Sequence, residues 1–305
     1  MHGIILGSGI VGLLAKEILG DNWTIIPYTR SRFYSFKPAL ADNFVIRDDR
    51  IDDFVQHYGA KPSFIYKTLY SLGGALHTGS QPLTDAWLGK TFGSDVPPHL
   101  SAYMRSRDGF FIYDLRINVL YERLQAKYQA LLQEQCQKGQ PTAIGEHQLT
   151  FGDKTVEFDH LVSTIPLNKL LELTRANHQQ LPITQIWYYH IETTDLSFEG
   201  ANQVLVVDDA LDFFKVSNIA KDRYLFYFLR NIPIPGPYFM QFMQRFEIID
   251  GTTISDALPK GAKPDLAWLD KMGVHCVGAF AEWDSAADVG SSMMRLLKYK
   301  ALWSS

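Results

Sequence analysis

The chain opens on a short apolar run, Gly3-Ile4-Ile5-Leu6, and then spaces three glycines through Gly7-Ser8-Gly9-Ile10-Val11-Gly12. An apolar run without polar alternation predicts a strand buried on both faces, as in parallel sheets. Leu13 to Leu19 predicts a helix that Gly20 stops, and Trp23 to Tyr28 predicts a second strand. Further on, Gly73-Gly74 and Pro97-Pro98 mark loops, and the stretch between them, Ala75 to Val96, reads as a surface excursion. Tyr113 to Gln137 carries a helical stripe through Leu120, Leu124, Tyr128, Leu131 and Leu132.

The second half of the chain changes period. Gln148–Phe151 and Thr155–Phe158 flank Gly152-Asp153-Lys154 as a hairpin. An apolar strand follows within Asp159–Leu167, stopped by Pro166, and then a helix over Asn168–Thr174. Ile186–Glu192, Gln203–Val207, Phe213–Ser217 and Tyr224–Leu229 are β-branched and aromatic runs at regular spacing, which predicts an antiparallel sheet. Ile232 to Pro237 is a proline-rich break, and Phe239–Phe246 reads as a short helix. Val274–Gly278 predicts a last buried strand, and Asp288 to Trp303 a closing helix with basic residues toward its C-terminal end.

The order strand, GxGxxG, helix, strand is the fingerprint of a dinucleotide-binding βαβ unit. Gly7 permits the tight turn, Gly9 lets backbone approach a pyrophosphate, and Gly12 lets the helix pack closely on the sheet. The residues around them, Ser8, Ile10 and Val11, complete the loop, and the helix N-terminus turns free N–H groups and positive dipole toward phosphate. The second strand should end in an acid for the adenosine ribose, yet Pro27-Tyr28-Thr29-Arg30 contains none. Thr29 or a backbone group stands in for it, or else Arg30 and Arg32 hold a 2′-phosphate and the cofactor is NADP.

Composition narrows the class. The 305 residues carry 46% hydrophobic and 20% charged positions, ordinary for a globular protein, and a net charge of −4. That balance gives no basic face for duplex nucleic acid. Cys136 and Cys276 lie far apart without a CxxC, so neither a disulfide framework nor a zinc site is indicated. The nine histidines form no HExxH; His77, His99 and His190 stand alone, and no metal is expected. No GxSxG elbow occurs, and Asp48–Asp53 reads as a helix start with an exposed acidic face. No apolar run reaches the roughly 18 residues of a membrane span, and the N-terminus lacks a basic leader, so the expected address is the cytoplasm.

Three segments together resemble one family. They are GSGIVG at 7–12, FDHLVSTIPLNKLLEL at 158–173 and VGAFAEWDSAADVGSSMMRLL at 277–297. Their order is similar to that of the FAD-dependent amine oxidase, protoporphyrinogen oxidase and UDP-galactopyranose mutase superfamily of flavoproteins. The stretch Phe213–Val216 also resembles a substrate-domain strand of the mutase-like branch. The resemblance implies an α/β fold: a discontinuous Rossmann-like FAD-binding domain (1–60, 100–182 and 263–305) and a second, mainly antiparallel β-sheet substrate domain (61–99 and 183–262). It implies that Gly7, Ser8, Gly9 and Gly12 hold the pyrophosphate, and that Arg30 matches the arginine after the ribose acid. Thr164 lies at the cofactor edge, and Gly278 and Glu282 approach the ribityl-pyrophosphate portion. Asp288 and Val289 open the helix that faces the flavin pyrimidine. The absent ribose acid, an absent double glycine after the second strand and a short chain depart from the pattern.

The chemistry so implied is oxidation of an amine C–N bond by hydride transfer to flavin N5, on a small amine or one carried on a macromolecule such as a modified nucleobase. Such a site is apolar and often aromatic. Trp187, Tyr188, Tyr189, Phe213, Phe214, Tyr238 and Trp283 supply rings, and Lys215, Tyr189 and Trp283 are the candidates for contact with the reacting groups. The alternatives are a flavin-dependent sugar mutase, for which Arg223, Tyr224 and Arg230 are few, an NADP-dependent oxidoreductase, and a non-catalytic flavin or nucleotide module.

Overall fold

A computed structural model of the chain describes residues 2–28, 43–45, 49–59, 62–65, 67–97, 100–106, 111–137, 139–176, 180–198, 200–284 and 287–303. Through the first half the elements run β1 (Gly3–Leu6), α1 (Ile10–Leu19), β2 (Trp23–Ile26), β3 (Asn43–Val45), α2 (Asp49–His57), β4 (Pro62–Ile65), β5 (Thr68–Leu72), β6 (Ala75–Thr78), α3 (Gln81–Phe92), α4 (Leu100–Ser106), β7 (Phe111–Arg116) and α5 (Ile117–Gln137). The second half adds β8 (Ala143–Gly145), β9 (Gln148–Phe151), β10 (Lys154–Glu157), β11 (His160–Ser163), α6 (Leu167–Leu173), β12 (Ile183–Glu192), β13 (Gln203–Val206), β14 (Phe213–Ala220) and β15 (Arg223–Phe228). The chain closes with α7 (Pro235–Phe239), β16 (Glu247–Pro259), α8 (Ala267–Lys271), β17 (Val274–Cys276), α9 (Ala279–Glu282) and α10 (Val289–Trp303).

A four-stranded parallel sheet runs β17-β11-β1-β2, so its neighbours come from the start, the middle and the end of the chain. β1 is buried along its whole length, which explains its unbroken apolar run. Side chains alternate between two cores. Ile5, Ile25, Val162 and Val277 meet α1, α2, α5 and α10 on one face. Ile4, Leu6, Leu161 and Val274 meet α6, α8 and the β8–β9 hairpin on the other. The result is a three-layer α/β arrangement with helices on both faces of the sheet.

The second large unit is a seven-stranded sheet ordered β16-β12-β15-β14-β13-β5-β6, antiparallel except where β13 meets β5. One face, with Tyr70, Tyr188, Leu205 and Tyr227, packs under α3 and α4. The opposite face, with Phe213, Phe226 and Phe228, packs on Phe239 and Met243. Smaller antiparallel sheets run β10-β9-β8 and β3-β7-β4. The mixed α/β class, with one parallel and one mainly antiparallel sheet, is the class expected from the sequence.

Three elements differ from that expectation. The helix over 113–137 begins only at Ile117; Tyr113–Arg116 close β7, which pairs with β3 on one side and β4 on the other. A strand flanked on both sides satisfies its backbone in the sheet, and this outweighs the helical stripe that starts just beyond it. The stretch 75–96 holds β6 and the twelve-residue α3 rather than a loose excursion. Gly73 and Gly74, at φ 60° and 79°, make the two-residue turn that folds β6 onto β5. The short helix near 239–246 is displaced to Pro235–Phe239, where proline starts it and the buried Phe239 ends it.

Candidate functional site

The glycine loop sits where β1 hands over to α1. Gly7 has φ 112°, a conformation that disfavours any side chain, and its N–H donates to the Ile26 carbonyl at 2.9 Å. A Cβ at Gly7 would collide with Thr164 Oγ1, and one at Gly12 would collide with the Gly7 carbonyl oxygen. These two glycines are therefore demanded by packing alone. Gly9 is different: its backbone is extended, and a Cβ there would meet nothing within 4 Å. Open space thus lies against the residue that caps α1, a ten-residue helix whose cap is not closed by a side chain and whose first turn has no acid. Ser8 is buried beside it, and Ile10 and Val11 pack onto the core under α10.

Thr164 buttresses this loop. Its N–H and its hydroxyl both donate to the Leu6 carbonyl, at 2.9 and 3.1 Å. Gly278, at φ 102°, leaves β17 alongside Val11; a Cβ there would lie 3.4 Å from a Val11 methyl. The Gly278 N–H donates to Glu282 Oε1 at 3.0 Å. Glu282 is only 3% exposed, and its other oxygen pairs with Arg295 at 2.9 Å and Lys263 at 3.6 Å. The carboxylate therefore ties the end of β17 to α10 and to the loop after β16. Asp288 caps α10 by accepting from the Ser291 N–H at 2.7 Å, and Val289 packs onto the α1 side. Gly7 to Gly12, Thr164 and Gly278 so come together at the carboxyl ends of β1, β11 and β17. Thr29, Arg30, Arg32 and His99 lie outside the described residues.

The three residues singled out for the reacting groups lie apart. Tyr189 faces the Phe228–Phe239 side of the large sheet, where its hydroxyl donates to the Ile232 carbonyl at 2.5 Å and burial raises its pKa. Lys215 lies in register with Leu205 and Tyr227, which face the opposite side, and its ammonium stands 5.0 Å over the Tyr227 ring. Trp283 is buried against α6 with φ 55°, its indole N–H donating to the Lys260 carbonyl at 2.9 Å. It helps to line a cleft of about 140 Å³ with Pro166, Lys169, Gln180 and Phe280. Tyr188, Phe213 and Phe214 are buried in sheet packing, and Tyr238 accepts a hydrogen bond from the Asp212 N–H.

Two clusters have no local signal in the sequence. Arg295 and Lys263 gather on Glu282 from different elements. Lower on β11 and β17, His160 and His275 make a 3.2 Å ring-nitrogen contact, and Asp270 lies 3.1 Å from His275. Trp303 stacks on His160 at 4.4 Å between centroids, and on Tyr299 and Trp23. Burial, with the neighbouring His275, lowers the pKa of His160; burial lowers that of His275 against the opposing pull of Asp270. Only the pairing of β11 with β17 brings these histidines together. Among the described residues no group of His, Cys, Asp and Glu is arranged to hold a metal, and no helix is long and apolar enough to cross a membrane.

No protein-family profile matches the chain, and no curated protein matches it in sequence. Solved structures do match over its full length. A reduced UDP-galactopyranose mutase superposes with a TM-score of 0.63 at 12% identity, covering 100% of this chain and 94% of that one. A cyclohexylamine oxidase from Brevibacterium oxydans gives 0.62 at 11%, covering 99% and 98%. A fatty acid isomerase from P. acnes gives 0.60 at 13%, again covering 99% and 98%. At such identities the likeness is one of fold, and the fold is the one the three sequence segments imply.

Proposed function

We propose that this chain is an FAD-dependent oxidoreductase that oxidises the C–N bond of an amine. The observation that carries the reading is the open space against Gly9 at the uncapped end of α1, held between Gly7 and Gly12, which packing alone already accounts for. Backbone N–H groups converging on unfilled space at a helix N-terminus suit a diphosphate. Gly7, Ser8, Gly9, Ile10, Val11 and Gly12 would hold the pyrophosphate, with Thr164 fixing their turn. Gly278 and Glu282 would flank the ribityl chain, and the start of α10 at Asp288 and Val289 would lie toward the pyrimidine edge.

Bound FAD would supply a two-electron acceptor for the hydride that leaves the carbon bearing the amine. The chain's part is to bind, orient and exclude water. The Glu282–Arg295–Lys263 cluster fixes the end of β17 relative to α10, so the two sides of the crevice keep one spacing. Of the residues weighed for gripping a nucleotide diphosphate, Arg223 pairs with Glu192 and Arg230 with Asp212. The cyclohexylamine oxidase among the matching folds agrees with an amine as substrate.

The test is direct. Purified protein should be yellow, with the two visible bands of an oxidised flavin, and cyclohexylamine or a related amine should bleach them under exclusion of oxygen. A colourless protein that is stabilised by NADPH and not by FAD would overturn the proposal.

A further inference from the structure

The second parallel strand ends without the acid that holds an adenosine ribose in dinucleotide-binding folds, since Pro27-Tyr28-Thr29-Arg30 contains none. The structure brings another polar side chain to that place. Gln140, in the connection between α5 and β8, donates its side-chain N–H to the Pro27 carbonyl at 3.1 Å. Pro27 directly follows β2, and 113 residues separate it from Gln140, so no local pattern announces the contact.

The contact lies on the ligand side of the sheet. β1 and β2 are parallel, with Leu6 beside Ile26, so their carboxyl ends point the same way. The Gly7 N–H donates to the Ile26 carbonyl at 2.9 Å. Gln140 is thus tied to the residue after Ile26, a few residue lengths of about 3.8 Å from Gly9. A dinucleotide in such a sheet runs from the glycine loop toward the end of the second strand. Tyr28 and Gln140 are both half-buried, so this end of the strand is not sealed beneath other elements. The opposite amide orientation would set two oxygens against each other, so the nitrogen faces Pro27 and the carboxamide oxygen is turned from it.

We propose that Gln140 takes the place of the missing acid, its side-chain oxygen accepting a hydroxyl of the adenosine ribose. The inference rests on the flavin reading only in naming FAD as the nucleotide. A carboxylate here could not serve both partners, because it has no hydrogen to give to Pro27. A carboxamide gives one N–H to the strand and carries two lone pairs on its oxygen for a hydroxyl. It also adds no negative charge beside a diphosphate. The tie to Pro27 holds the side chain at the strand end, so less freedom is lost when the ribose arrives.

A competition between two flavins separates this role from that of a brace between loop and strand. The full chain is offered equal amounts of FAD and of an analogue made by coupling FMN to 2′,3′-dideoxyadenosine monophosphate, and the bound flavins are weighed by mass spectrometry. The wild type should prefer FAD by about fivefold, the worth of one ordinary hydrogen bond. Gln140→Leu should take up both alike. Gln140→Glu, which keeps an acceptor and loses the donor to Pro27, should retain the preference. A brace would weaken both flavins equally and leave the preference untouched in Gln140→Leu. That result, a wild type without preference, or a preference lost in Gln140→Glu would each overturn the assignment. A chain that takes up neither flavin, yet gains more Tm from ADP than from 2′,3′-dideoxy-ADP, would sink the flavin reading and leave Gln140 in its role. A yellow chain without preference would do the reverse, and a chain that binds neither flavin nor ADP would overturn both.

Discussion

A methyl group added at Gly12 would meet the Gly7 carbonyl, whereas one added at Gly9 would meet nothing within 4 Å. The two glycines therefore fail in different ways. Gly12→Ala forces α1 away from the loop, and overpacking of this kind costs about 1–3 kcal/mol or more, visible as a lower denaturation midpoint. Gly9→Val keeps an allowed backbone (φ −66°) and should stay within about 1 kcal/mol of wild type. Its branched side chain fills the space before α1, so the protein should fold and be purified without flavin. A yellow Gly9→Val protein would refute the placement of the diphosphate. At this scale the loop was legible because its spacing is local and each glycine has its own steric reason. The partners of Glu282 were not legible. Arg295 looks like any basic residue of a closing helix, and only the meeting of α9 with α10 aims it at a buried carboxylate.

Among the elements, α10 gives the clearest dependence on solution conditions. Its last turn rests Tyr299 and Trp303 on His275 and His160, with His147, Asp159, Asp270 and the Trp23 ring around them. Both imidazoles titrate lower in the folded chain than the usual value near 6.5, because burial penalises their charged forms. Below about pH 6.5 the unfolded chain therefore binds protons that the folded chain refuses. The stability held above that pH is lost as pH falls toward the folded-state values, by at most about 1.4 kcal/mol per pH unit for each histidine. Urea titrations between pH 7.5 and 5 should show this slope, and His160→Gln with His275→Gln should flatten it. An unchanged slope in the double variant would assign the acid sensitivity to other groups. The helix itself was readable, with Asp288 at its start, since its signals lie within one segment; that Asp288 caps it is seen only in the structure. The boundary between β7 and α5 was not, because strand pairing with β3 and β4 decided it.

Across the whole molecule, order along the chain and order in space part company. β1 lies between β2 and β11, yet β11 begins only at His160, and β17 only at Val274. A fragment of residues 1–159 would carry the complete glycine fingerprint but lack two of the four parallel strands. It should remain largely unfolded by circular dichroism and bind no flavin, and a stably folded fragment would contradict the interdependence of the layers. The second sheet was legible as a set of strands, since aromatic and β-branched runs recur at regular spacing. That β5 and β6 join it from far upstream has no local mark in the Gln203–Thr68 register; residues 61–99 are grouped with this sheet only through the family resemblance.

The stack of Trp23 on Trp303 gives the molecule a built-in optical gauge. Two indoles 5.1 Å apart couple their excitations, and an imidazole lying against one of them quenches its emission when it gains a proton. One indole sits at the start of β2 and the other at the end of α10, so their emission reports whether the last turn of the chain is docked on the first layer. Undocking of the tail should therefore change the colour and brightness of this emission, readable without any label.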